Sequence, residues 1–502
     1  MDSNAPPPFI IPGVVVRLPV PIWLFAAGKV AFHLATTRLS HHRDELYFIS
    51  ASKRLAVSYV DFQPVAPALV WIERRIFGDS LLGLRLIPAL AGVAVIILAA
   101  LIARELGGNR RAQILAGLAG LIVPLFVGMD SALNTVSLET PAWMLVCLLF
   151  ARLLRTGDNR WWVGVGAAIG LALLIKFTVV GYLIALGVAI IATPLRRDLR
   201  SKWLWMGAGV AVVMIAPSVI WQFQNGLPVL EFISNQGEGG AVLGLRGRAG
   251  YLISLIILPG FVTLLLYVPG LLYLMREKTY QALGVTHAGT LLVFLIASGK
   301  GYYAAPAIAV MICAGCVWIV QRRDRYPRGL LIAIGVITLT SLPLAVPLIP
   351  TSVLAKSSDL SDATEMGERI GWDDIARDVS RIYETRIRDA DRADTIFLGE
   401  NYTLPSAIEY YADDFNLPRV AVGGHNSSYL WWPDDIPRQH TAIVIGFDRW
   451  EVKELYDDVV RVGTVRNDEG VDNYEWGKPI WIGRLPNFPA DEIRERVKTF
   501  EA

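Results

Sequence analysis

The chain has 502 residues, of which 54% are hydrophobic and 18% charged, with a mean hydropathy of +0.45. Soluble proteins carry about a quarter charged residues, so a soluble globular enzyme, a disordered chain and a nucleic-acid-binding protein are excluded. The net charge of +2 hides a split: residues 1–350 hold 29 Lys and Arg against 15 Asp and Glu, and residues 351–502 hold 18 against 30. An apolar basic portion is joined to a polar acidic one.

A helix that crosses a bilayer needs about 20 mostly apolar residues. That window predicts eleven spans, near 16–36, 82–103, 112–129, 134–154, 161–176, 178–195, 203–222, 250–273, 282–298, 302–320 and 329–349. The first carries Lys29 and lacks a small-residue cleavage site, so it reads as an anchor rather than a signal peptide. Every second connection is basic: Arg104 to Arg111, Arg152 to Arg160, Arg196 to Lys202, Arg276 to Lys278, and Arg322 to Arg328. The positive-inside rule then puts loops 37–81, 130–133, 223–249 and 299–301, with everything after residue 350, on the outer face. Cys147, Cys313 and Cys316 all lie in apolar stretches. The C-x-x-C spacing of the last two has no second ligand pair, so they read as helix-packing residues.

The tail alternates β-rich runs (Thr395–Leu398, Val420–Val422, Ala442–Phe447, Pro479–Ile482) with helical stretches (Trp372–Ile387, Leu404–Tyr411, Glu451–Val459), which predicts a small α/β domain. The domain division is 1–350, a transmembrane portion with an amphipathic first outer loop at 37–81, and 351–502, a soluble extracytoplasmic portion. No G-x-G-x-x-G or Walker loop is present, so a nucleotide site is not expected.

The first outer loop opens on His41-His42-Arg43-Asp44-Glu45. Neighbours on a helix point about 100° apart, so one carboxylate can face a reaction centre while the other caps the helix. A helix N-terminus favoured by its dipole is the competing reading. His41 and His42 suggest a metal ligand set, but adjacent histidines make poor ligands for one ion and a solvated loop is the simpler account. Asp61-Phe62-Gln63-Pro64 reads as a Pro-broken turn. Lys176 sits in an apolar run, where an ammonium is either paired, functional or snorkelling to the interface.

Taken together these segments resemble a family. Asp44-Glu45-Leu46-Tyr47, followed by Asp61 to Pro64, is similar to the opening of the polytopic glycosyltransferases of the GT-C superfamily, and most closely to glycosyltransferase family 39, the group related to dolichyl-phosphate-mannose protein mannosyltransferases. Met129-Asp130 and Ser137 to Pro141 resemble its second acidic outer loop. Leu174 to Thr178, Trp221 to Pro228, and Gly299 to Pro306 resemble three further segments, with Ile175 where the family has Asn. Glu400-Asn401-Tyr402, Leu417-Pro418 and Gly424 to Ser427 resemble tail motifs of a bacterial subgroup.

The resemblance implies an inverting enzyme that moves a monosaccharide from a polyprenyl-phosphate carrier to an acceptor hydroxyl of a lipid, polysaccharide or protein at the outer face of the membrane. It implies Asp44 as catalytic base with Glu45 positioning it, and Glu139 and Asp130 on the acceptor side. Lys176, Lys300, Tyr302 and Tyr303, with Arg246 and Arg248 in a Gly-rich loop, would hold the donor phosphate. Tyr302 and Tyr303 fit an interfacial aromatic belt equally, and the arginines fit anionic lipid head groups. His425 and Asn426, beside Tyr429 to Trp432, are candidate contacts of the outer domain, with a plain buried turn the competing reading. A divalent metal ion is compatible with the acidic loops, and no other cofactor is expected. Expected partners are the lipid-linked sugar, membrane lipid and an acceptor of unknown identity, with no nucleic acid. The Arg/Ala-rich composition points to the bacterial cytoplasmic membrane, with the tail extracytoplasmic. The alternative is a polytopic lipid or sugar transporter or flippase, against which the lack of an internal repeat counts.

Overall fold

The computed structural model describes residues 9–11, 14–16, 18–37, 39–235, 245–322 and 328–501. The chain forms two compact units. One comprises Met1–Thr37, Arg85–Val219 and Gly240–Val346, and the other Arg38–Leu84, Ile220–Gly239 and Pro347–Ala502.

The first unit is a bundle of apolar helices, because a backbone without water must satisfy its hydrogen bonds within each segment. Helices occupy the expected apolar segments. Five helices are long and apolar enough to cross a membrane: Leu81–Glu105, Thr135–Thr156, Lys202–Gln224, Gly301–Arg322 and Arg328–Ala345. Val20–Thr36, Trp161–Leu173 and Gln281–Ile296 are shorter apolar helices. Two expected spans are bent: Val179–Ala192 turns by 99° into Pro194–Arg200, and Gly247–Ile257 turns by 83° into Phe261–Arg276. The second bend follows from Pro259, which lacks an N–H, and Gly260, whose φ of +83° a side chain would resist. The expected span 112–129 is likewise two helices, Arg110–Ile122 and Pro124–Met129, divided at Val123.

Small residues set the helix contacts in this unit, as expected where lipid removes the hydrophobic drive for association. A Cβ on Gly166 would collide with the Gly207 backbone, and one on Gly207 with Trp162. Gly270 and Gly315 are pressed in the same way against Met311 and Leu266.

The second unit is built on a five-stranded sheet: β1 (Thr395–Gly399), β2 (Val420–Gly423), β3 (Thr441–Ile445), β4 (Tyr456–Thr464) and β5 (Pro479–Pro486), in the order β2-β1-β3-β5-β4. β1 runs parallel to β2 and β3, while β5 runs antiparallel to β3 and β4. β1 and β3 are buried throughout, and an apolar cluster lies on each face of the sheet. The sequence expectation of a helix over Glu451–Val459 is corrected here. The helix Arg449–Leu455 stops and Tyr456–Thr464 is an edge strand. Val459, Val460 and Val462 are β-branched, and pairing with β5 takes over where the helix stops.

The loop segment 38–84 contributes the helices Arg43–Ser52 and Val65–Phe77 to this unit. Leu46 belongs to the same apolar cluster as Trp372, Phe397 and Ile443. Glu409 accepts hydrogen bonds from Ser50 (2.7 Å) and Arg54 (2.9 Å), and Lys53 lies 3.4 Å away. Burial would raise the Glu409 carboxyl, but Arg54 and Lys53 more than offset it and hold the group below its ordinary value.

Candidate active site

The site residues fall into two constellations, one in each unit. In the second unit, the helix Arg43–Ser52 begins with a reciprocal cap. His42 Nδ1 accepts from the Asp44 N–H (3.2 Å), and Glu45 Oε2 accepts from the His42 N–H (2.8 Å). Glu45 is buried and caps the helix start. His41 and His42 are buried too, which corrects the solvated-loop reading. His41 packs on Tyr410, and burial lowers His42 to about 4, so its ring is neutral at pH 7. Among the described residues no group of three or more His, Cys, Asp or Glu is placed to hold a metal ion.

Asp44 stays partly exposed. Its Oδ1 accepts a 2.8 Å hydrogen bond from the Tyr402 hydroxyl. Tyr402 stacks on Tyr47 (4.2 Å between ring centroids) and on His425 (5.2 Å). The Tyr47 hydroxyl donates to Asp61 (2.9 Å), which also accepts from the Ser427 hydroxyl (3.0 Å). Two carboxylates, each held by a tyrosine, therefore flank one pair of stacked rings. Burial pushes Asp61 up to about 7, Tyr47 and Ser427 opposing it, and the charge of Asp44 adds to the rise. Burial, and after it Asp44, likewise raises the Tyr402 phenol well above its usual value.

Cations stand beside this network. Arg43 lies over the rings of Tyr402 (5.0 Å) and Tyr474 (4.9 Å) and is 3.6 Å from Glu368. Lys478 reaches Glu400 (2.7 Å) and Glu475 (3.3 Å). Asp61, Tyr47, Ser427 and Arg43 were not among the expected site residues. The Asp61 to Pro64 segment and the Gly424 to Ser427 motif were the signals that pointed toward them. His425 and Asn426 hold the end of the chain: His425 Nε2 lies 3.0 Å from the Glu501 carbonyl, and Asn426 donates to that carbonyl (2.8 Å) and accepts from the Glu501 N–H (3.1 Å). Burial lowers His425 to about 4.

The raised Asp61 has a measurable consequence. An unfolded Asp titrates near 3.9, so the folded chain binds this proton more tightly. Asp61 therefore adds stability below pH ~4 and loses that contribution as pH rises to about 7. Asp61→Asn keeps the oxygen that accepts from Tyr47 and Ser427. Its melting temperature minus that of the wild type is expected to climb between pH 4 and 7 and then level off; a flat difference would show an ordinary carboxylate.

In the first unit, Glu139 is buried on the helix Thr135–Thr156. It accepts a hydrogen bond from Thr178 and lies 3.8 Å from Lys176 Nζ. Lys176 occupies the break between the helices Trp161–Leu173 and Val179–Ala192. Its ammonium also lies 5.3 Å from the Tyr302 ring centroid and 5.1 Å from that of Tyr303. These four expected residues thus come together. Lys300 is exposed and directly precedes the short helical turn Gly301–Ala304 that carries both tyrosines.

Asp130 has another partner: its carboxylate is 2.8 Å from Lys29 Nζ, both are buried, and Lys29 also donates to the Phe126 carbonyl (3.3 Å). Gly92 leaves the room, since a Cβ there would collide with both side chains. Arg246 and Arg248 lie on the helix Leu245–Ile257, not in a loop, and Arg248 is exposed. The Arg246 side chain and the Gly-rich stretch 236–244 lie outside the described residues.

Residues 61–221 match the family model for dolichyl-phosphate-mannose-protein mannosyltransferase. The fold matches that of ArnT from Cupriavidus metallidurans bound to undecaprenyl phosphate with a TM-score of 0.61 at 15% identity, covering 92% of this chain and 97% of that one. The apo state of ArnT from the same organism matches with a TM-score of 0.58 at 17% identity, over 92% and 97%. No curated protein sequence matches the chain. The resemblance read from the motifs agrees with both findings: a segment matches the mannosyltransferase family, and the multi-pass membrane fold is of GT-C type with a small C-terminal sheet domain.

Proposed function

We propose that this GT-C type chain is an inverting glycosyltransferase that takes a monosaccharide from a polyprenyl-phosphate carrier and transfers it to an acceptor hydroxyl. In this reading it lies in the bacterial cytoplasmic membrane, with residues 351–502 and the reaction on the outer face. The observation that carries it is the partly exposed Asp44 carboxylate, fixed by Tyr402 beside a second, raised carboxylate, Asp61. A general base needs such a carboxylate, aimed by a hydrogen bond. ArnT, whose fold is shared, binds undecaprenyl phosphate, a carrier of the class proposed here.

The acceptor hydroxyl attacks the anomeric carbon while Asp44 takes its proton and the carrier phosphate leaves with the bonding electrons. Charge develops on a leaving phosphate, and within the first unit Lys176, with the Tyr302 and Tyr303 rings beside it, is the cationic group suited to meet it. Glu139 holds Lys176 ready for this role.

The test is consumption of each member of a panel of polyprenyl-phosphate monosaccharides by purified protein. Turnover of one donor with release of carrier phosphate is expected. A folded protein that moves the intact lipid-linked sugar across a vesicle bilayer without cleaving it would be a flippase. Lys176→Gln is expected to cut kcat/KM for that donor by roughly tenfold or more, the worth of one charged contact. Combining it with Glu139→Gln spares the fold an unpaired carboxylate and should leave the kcat/KM defect in place.

A further inference from the structure

We propose that a cleft at the C-terminal ends of the helices Leu264–Arg276 and Ala305–Arg322 binds the phosphate of an anionic phospholipid. The two helices touch most closely at Gly270 and Gly315, where neither backbone would admit a Cβ. Farther along, Tyr273 and Trp318 replace the glycines, and a cleft of about 350 Å³ opens between them, with Arg276 and Arg322 at its rim. Tyr273 is fixed as a wall by its 2.9 Å hydrogen bond to the Leu106 carbonyl. The Arg322 guanidinium lies 4.5 Å from the Trp318 ring centroid, which aims it along the cleft. Among the described residues, Glu277 is the one acidic residue that lines the cleft with them.

An apolar track leads to this cationic rim. Leu265, Val268, Leu272 and Met275 are 61%, 43%, 43% and 40% exposed. Their spacing of three, four and three puts them on one face of the helix, over about 15 Å. A face of this kind accepts an acyl chain, and its basic end accepts the head group. A free inorganic anion would use the arginines and leave the track bare, so the track favours a lipid.

The charge balance agrees. The five basic connections between spans carry sixteen Lys and Arg against five acidic residues, so an anionic head group is drawn to them. Within the cleft, Glu277 and the carbonyls of two helix C-termini oppose an anion. Both guanidiniums are therefore required, and the site discriminates between a lipid with net negative charge and a zwitterionic one.

The experiment is native mass spectrometry of the detergent-purified full chain titrated with phosphatidylglycerol or phosphatidylcholine, with and without millimolar inorganic phosphate. One phosphatidylglycerol is expected to bind at least about tenfold more tightly than phosphatidylcholine, and inorganic phosphate should leave it in place. Arg276→Gln combined with Arg322→Gln should abolish the preference, the expected loss of two surface cationic contacts. Arg197→Gln, an equal loss of charge on another connection and at a residue that does not line the cleft, should retain it. Equal binding of the two lipids, displacement by inorganic phosphate, or an undiminished preference in the double variant would overturn the proposal. The first two readouts need only the wild type, so the test survives a variant that fails to fold.

Discussion

Replacing Asp44 by Asn is expected to cut sugar transfer by about 10² to 10⁴-fold, the usual contribution of a positioned general base. The substitution removes the proton acceptor and little else. Asn is the same size, and its carbonyl oxygen can still accept the Tyr402 hydroxyl that holds Asp44 at 2.8 Å. The fold and the affinity for the lipid-linked donor should persist, so the loss should appear in kcat while the donor KM stays near wild type. Tyr402→Phe should cost less, about tenfold, because Asp44 remains but is no longer aimed. The check is initial-rate kinetics on the donor that the wild type consumes. Undiminished kcat in Asp44→Asn would move the base elsewhere, with Asp61 the next carboxylate to substitute.

The second large effect is on stability. Lys29→Met leaves the Asp130 carboxylate buried without its 2.8 Å partner, and removing one member of a buried pair costs about 3–5 kcal/mol. Lys29→Met combined with Asp130→Leu removes both charges and should recover most of that loss, because two buried apolar groups carry no desolvation penalty. Thermal unfolding in one detergent, followed by the near-UV signal of the aromatic residues, measures both variants. If the double variant is as unstable as the single one, the pair does more than neutralise itself. Gly92→Ala tests the same place sterically, since the new methyl would displace both side chains.

Asp130 shows what sequence reading can miss. Beside Met129 and ahead of Glu139, it read as part of an acidic outer loop. Its partner, Lys29, is 101 residues earlier in the chain, on the first expected span. Lys176 and Glu139 show the opposite case. Each stood out because a charge in an apolar run is costly, and the structure pairs them. The helical bends over residues 178–200 and 250–273 were hidden because hydropathy averages over a window and does not register where Pro and Gly break a helix.

The amino-acid sequence by itself determined the apolar helices, since a run of about 20 such residues has one stable form in lipid. It also determined four of the five strands of the tail, whose β-branched runs are bounded by turn residues, and it marked Asp44, Glu139 and Lys176 by charge out of place. Only the tertiary structure decided that the loop 38–84 packs in one unit with the tail. It alone brought Tyr402 to Asp44 across 358 residues of chain, and Ser427 to Asp61 across 366. Local patterns record periodicity, burial and turn chemistry over a few residues. A hydrogen bond between distant side chains leaves no such trace, because it exists only once the elements carrying them have packed.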